Sequence, residues 1–245
     1  MQLLDRSVVT ANRAIPSARL HSDDIFFPAM AVVILGVVVF GFAQSYFIPG
    51  LVFSKLPNKL VHIHAALFVS WIFLLLFQNA LVAVRRVRWH RALGVLGLIL
   101  PPLMVVFGVL ALFDSIRRNG TGIPAEMIVV GDVEELFLFV FLTGWGMLAR
   151  RNAASHKRLM ILGTMAMLGP AINRWPFPES LRIPGTIAVY AAIPLLVMAY
   201  DLWSRRNVHR STAIACLLIL AGIFTMLPVA GTALAHRLVE WILRG

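Results

Sequence analysis

Seven stretches dominated by apolar residues follow one another along the chain, at 26–47, 61–84, 92–113, 127–149, 158–173, 184–203 and 211–231, with short charged connections between them. A helix that crosses the hydrocarbon core of a bilayer needs about 20 such residues, and there the backbone can satisfy itself only as a helix or a closed barrel. The windows predict an all-α polytopic membrane protein, a bundle of seven transmembrane helices. Of the 245 residues, 60% are hydrophobic and 13% charged, against about half and about a quarter in soluble domains. The expected division is a tail over 1–25, a transmembrane domain over 26–231, and a short amphipathic segment over 232–245 lying on the outer surface. The first window exceeds the apolar core of a secretory signal, about 7–15 residues, and reads as an uncleaved helix.

The formal charge of +11 would suit nucleic acid if it were gathered on one face. Instead every Lys and Arg falls in a tail, a connection or a helix end. Summed over alternate segments they divide into 14 on the N-terminal side and 8 on the other. The positive-inside rule then places the N-terminus in the cytoplasm and the C-terminus outside. Basicity becomes topology and lipid contact, and nucleic acid is not an expected partner. Trp89 and Trp203 at the inner ends of windows, with Trp175 and Trp241 at the outer ends, agree with that layout. Arg outnumbers Lys 19 to 3, a compositional association with GC-rich bacterial genomes, so the expected location is a bacterial inner membrane. The single cysteine, Cys216, sits inside the last window and excludes both an internal disulfide and a C-x-x-C-H haem attachment site.

Three alternate windows open on similar basic knots: Trp89-His90-Arg91, Ser155-His156-Lys157-Arg158 and Val208-His209-Arg210. They must share one membrane side, which puts three imidazoles at a common depth. Imidazole ligates haem iron or a transition metal through one ring nitrogen, and bundled helices can aim such ligands at each other. The plainer alternative is headgroup anchoring or capping.

A second constellation lies at the opposite side. His62 and His64 begin the second window and point to different helix faces, so only one can face the bundle. Heptad steps from His64 give Trp71 and Gln78, an inward polar stripe or an interhelical seam. The fourth window carries Asp132, Glu134 and Glu135, costly in hydrocarbon and rarely left facing lipid. Asp132 and Glu135 share a face and could meet His62 or His64, and Asn173 and Arg174 at the end of the fifth window. His62, His64, Asp132 and Glu135 could hold a divalent metal; the expected arrangement is a bridge from Arg174 to a carboxylate. Pro101-Pro102 between Gly94, Gly97 and Gly108 predicts a kinked, closely packed third helix. The signatures of P-loop ATPases, common serine hydrolases, zincins and dinucleotide folds are missing.

The motifs His62-x-His64…Trp71…Gln78, His90-Arg91-x-Leu-Gly94 and His156-Lys-Arg-Leu-Met160 with Asn173-Arg174 resemble a set of bacterial seven-span inner-membrane proteins. That resemblance covers the chain from about residue 60 onward and implies location and architecture, and no activity. A weaker likeness to haem b membrane proteins of the cytochrome b561 type implies histidine-ligated haem, although the histidines here do not form one pair per membrane side on the same two helices. The chain also resembles the seven-span membrane metal-hydrolase and adiponectin-receptor group but lacks its H-x-x-x-H in the last window. The resulting expectation is haem b held by two of His90, His156 and His209, with Arg91 and Arg158 on its propionates, exchanging electrons with a quinone. The alternatives are a metal-dependent enzyme or metal transporter at the outer cluster, and an accessory subunit without cofactor that serves a membrane partner or forms a homo-oligomer. No catalytic residue is assigned.

Overall fold

The computed structural model describes residues 22–48, 58–119 and 125–244, and the regular structure among them is helical, without strands. Ten α-helices follow in order: α1 Ser22–Phe42, α2 Lys59–Ala83, α3 Val87–Leu93, α4 Leu96–Asn119, α5 Ala125–Leu148, α6 Ala153–Met165, α7 Gly169–Ile172, α8 Arg182–Arg205, α9 Arg210–Ala230 and α10 Ala233–Arg244. A π turn over Ala43–Phe47 extends α1, and a 3-10 turn over Glu179–Leu181 leads into α8. The tail 1–25 lies mostly outside the described residues.

Among the described residues five segments are long and apolar enough to cross a membrane: Ser22–Phe42, Lys59–Ala83, Val87–Arg118, Glu179–Arg205 and Arg210–Ala230. The fourth and fifth windows differ from these for physical reasons. Helix α5 has 24 residues, a length of about 36 Å, but carries Glu126, Asp132, Glu134 and Glu135 in its first half. Helix α6 stops after 13 residues, about 20 Å.

The chain's own chemistry stops α6. Pro170 has no N–H to give the Ala166 carbonyl four residues earlier, and its ring would collide with that carbonyl in a continuous helix. The orphaned Ala166 oxygen instead accepts the Tyr190 hydroxyl of α8 at 2.7 Å. One turn, α7, resumes beyond the break with Pro170 in its first positions.

Helix α6 forms the centre of the bundle, and α5 packs on it with one side while Val133, Phe137, Val140, Phe141 and Leu148 remain exposed on the other. Every residue of α6 from Leu159 to Met165 except Met160 is buried, as is Arg158. On α5, Leu138, Phe139, Leu142 and Thr143 face it. A Cβ on Gly163 would stand 2.8 Å from Thr143 Cγ2, so the glycine permits this close approach. The main core joins α1, α2, α5, α6, α7, α8 and α9, with Phe27, Ile34, Leu142, Leu162, Ile172 and Ile219 among its buried members. Trp71, Leu74, Met104 and Phe139 form a second cluster between α2, α4 and α5. Helix α4 runs on through Pro101 and Pro102. Helix α10 is amphipathic, as expected from its sequence, and seats Ala235, Val239 and Ile242 at the ends of α4 and α5.

Candidate functional site: a histidine pair and a polar cavity at opposite ends of α2

The stripe read along α2 joins two different places. His64 lines a cavity at one end, Trp71 is buried at its floor, and Gln78 lies at the other end beside His90. His64 and Gln78 are 14 residues apart, about 21 Å along the helix.

At the Gln78 end, α3 turns back from α2 through Arg85, a left-handed residue with φ 61°. This brings His90 against His156 at the start of α6, with ring centroids 6.2 Å apart and planes at 84°. His156 Nδ1 is 2.8 Å from the Gly146 carbonyl near the end of α5. That contact fixes the tautomer and leaves Nε2 with a free lone pair, the usual arrangement of a ligating imidazole. His90 Nδ1 and Gln78 Oε1 are buried without hydrogen-bond partners.

His209 does not join this pair. It caps α9, its Nδ1 accepting the Ser211 N–H at 3.2 Å, and its own N–H donates to Asp201 at 3.1 Å. Burial first, and then the neighbouring Arg158 charge, hold its imidazole below the ordinary value. Arg158 is wholly buried and does not project toward a cofactor. Its Nε donates to Asp201 at 2.9 Å, its Nη2 also bonds that carboxylate, and Nη1 reaches the Ala154 carbonyl at 3.0 Å. Thr212 adds a fourth donor to Asp201 at 2.6 Å. Beside this knot Lys157 pairs with Asp23, which also accepts the Tyr200 hydroxyl at 2.5 Å. Arg91 remains exposed on α3. The sequence reading missed Asp23 and Asp201. Two carboxylates in or beside apolar windows on the basic side were the available signal.

At the His64 end a cavity of about 280 Å³ opens among α1, α2, α4, α5 and the α6–α7 break. Its walls are mainly apolar, with Ile34, Val38, Phe68 and Met167 among them; His64, Asp132, Glu135 and Arg174 interrupt that surface. His64 faces inward and its Nδ1 is buried without a partner. His62 is exposed and shares a 3.0 Å hydrogen bond with the Tyr46 hydroxyl. Trp71 Nε1 donates to Thr164 Oγ1 at 3.0 Å, and Thr164 in turn donates to the Met160 carbonyl at 2.8 Å.

Two glycines make room for the α5 carboxylates. A Cβ on Gly169 would lie 1.8 Å from Glu135 Oε1, and one on Gly222 the same distance from Glu134 Oε1. Glu135 also takes the Gly169 N–H that the break leaves over. The expected bridge from Arg174 does not form: no described ion pair joins it to an α5 carboxylate. Its Nη1 donates to the Pro170 carbonyl at 2.5 Å and its guanidinium lies 4.6 Å over the Phe42 ring, so it acts on Asp132 only from a distance. Asn173 ends α7 and is exposed. No three His, Cys, Asp or Glu side chains converge closely enough to hold a metal among the described residues.

No protein-family model, curated protein or solved structure matches this chain.

Proposed function

We propose that the protein is a seven-span bacterial inner-membrane electron carrier that holds haem b between His90 and His156 and exchanges electrons with a membrane quinone. In this reading α5 and the α6–α7 tandem also cross the bilayer, with the N-terminus cytoplasmic. The burial of α6 supports it, as does α5, whose exposed side carries Val133, Phe137, Phe141 and Leu148 while Asp132 and Glu135 turn to the cavity, away from the lipid that penalises charge.

The observation that carries the haem reading is the histidine pair. Two metal–nitrogen bonds of about 2 Å each, plus the two ring radii, match the 6.2 Å separation. One imidazole is oriented by a backbone carbonyl and the other keeps a buried nitrogen unpaired, a state that calls for a missing partner. Haem b, when bound, supplies a one-electron couple. His90 and His156 would ligate it, Gly146 would orient His156, and Arg91, with the neighbouring arginines of the α2–α3 turn, would meet its propionates. Arg158 and His209 have structural roles in this assignment.

The test is haem extracted from detergent-purified protein, produced in cells supplied with a haem precursor. Near-equimolar haem b is expected; intact, monodisperse protein without haem contradicts the reading.

A further inference from the structure

The cavity has no part in holding the histidine pair, yet it is lined by ionisable side chains that are costly in a bundle of apolar helices. Its size is close to the lower end of small-molecule sites, about 300 Å³, which suits a single substituted ring and excludes a peptide. Its apolar walls select a molecule that arrives from the lipid. Few of its lining groups are polar: His64 offers a buried, unpartnered Nδ1, Glu135 is held by the Gly169 N–H, and neither Asp132 nor Glu135 forms a described ion pair. Buried polar atoms without partners in hydrocarbon each cost several kcal/mol, so the natural occupant completes those bonds. These donors do not converge on a point, as a metal requires. They are arranged around a space, as a ring with oxygens at its edges requires.

We propose that this cavity binds the head of a lipid-soluble quinone or quinol, with His64 and Glu135 hydrogen-bonding its ring oxygens and Trp71 beneath it. The choice of a quinone among lipophilic ring compounds rests on the electron-transfer reading; the existence of a ligand site does not. His64 and Glu135 present complementary chemistry to the two redox forms. A quinone carbonyl accepts from an imidazole N–H or a protonated carboxyl, and a quinol hydroxyl donates to an imidazole nitrogen or a carboxylate.

The experiment is a titration of detergent-purified protein with a benzoquinone bearing a decyl side chain, followed by tryptophan fluorescence. Saturable quenching is expected, with most of its amplitude lost in Trp71→Phe. His64→Ala and Glu135→Gln should each weaken binding about tenfold, the loss of one hydrogen bond to a buried group. Ala65→Leu, which narrows the cavity without touching a polar group, should weaken it as well, and protects the test if a polar variant fails to fold. Linear, unsaturable quenching that is equal in all variants overturns the proposal. So does equal competition by a medium-chain fatty acid, which would mark the cavity as an anion site for Arg174. Haem-free protein that still binds the quinone would sink the haem reading and keep the cavity; haem-loaded protein without saturable quenching would do the reverse.

Discussion

The Arg158–Asp201 knot and the His64 cavity both place charges within the same bundle and treat them differently. Around Asp201 every acceptor position has a donor: a guanidinium, a hydroxyl and a backbone N–H. Around the cavity, Glu135 sits in a hole made by the helix break at Gly169, and Asp132 lines the wall without a described ion pair, near an imidazole with an unpaired nitrogen. A fully satisfied polar network fixes one packing; an unsatisfied one keeps a place for something else. The contrast gives the knot a structural role and is the ground for proposing ligand chemistry at the cavity and the His90–His156 pair.

The sharpest way to break this contrast is to cut the knot. Arg158→Ala or Asp201→Ala should destabilise the protein by about 3–5 kcal/mol, because the remaining charge is buried and unpaired. The loss should be visible as a lower thermal midpoint in detergent. Removing a cavity charge by Glu135→Gln should leave that midpoint almost unchanged, and a large drop there would make the cavity structural too.

A second prediction concerns the hole that holds Glu135. Gly169→Ala should cost about 1–3 kcal/mol through overpacking, since the new methyl meets Glu135 Oε1 at 1.8 Å. In the Gly169→Ala, Glu135→Ala double variant most of that loss should return, and simple additivity would contradict the contact. Of similar size, Thr164→Val should cost about 1–3 kcal/mol by stranding the buried Trp71 N–H, with a shift in tryptophan emission.

The smallest effect lies at an exposed contact, where His236 of α10 meets Glu126 at 2.9 Å. That hydrogen bond, followed by the nearby Glu240 charge, raises the His236 pKa above its ordinary 6.5; the same hydrogen bond, with a backbone N–H, lowers that of Glu126 below 4.5. The His236 contribution is complete below pH 6.5 and fades as pH rises through the raised value. The Glu126 contribution is complete above pH 4.5 and fades as pH falls through the lowered value. Helix α10 should therefore be best protected from hydrogen exchange between those limits, and Glu126→Gln should flatten the profile.

The legible part of the fold was the part governed by transfer to hydrocarbon. Apolar windows marked the helices, the α2 heptads marked the face carrying His64, Trp71 and Gln78, and the alternation over 232–245 marked α10. The break in α6 was written in Gly169-Pro170, but an apolar run hides it when hydropathy alone is read. The roles of Asp23, Asp201 and His209 were not legible, because each depends on a partner supplied by a helix distant in sequence. The same holds for the missing Arg174 bridge: sharing a depth with Asp132 does not fix which way a long side chain turns, and Pro170 and Phe42 hold it elsewhere.

The central claim is that His90 and His156, and not the equally plausible histidines around them, form the redox site. Dithionite-reduced minus air-oxidised spectra of the parent protein and of His64→Ala, His90→Ala, His156→Ala and His209→Ala test it directly. Sharp α and Soret bands should be present in the parent, His64→Ala and His209→Ala proteins and lost in His90→Ala and His156→Ala. A flat parent spectrum, or bands that survive both inner substitutions and vanish with His209, would contradict the account.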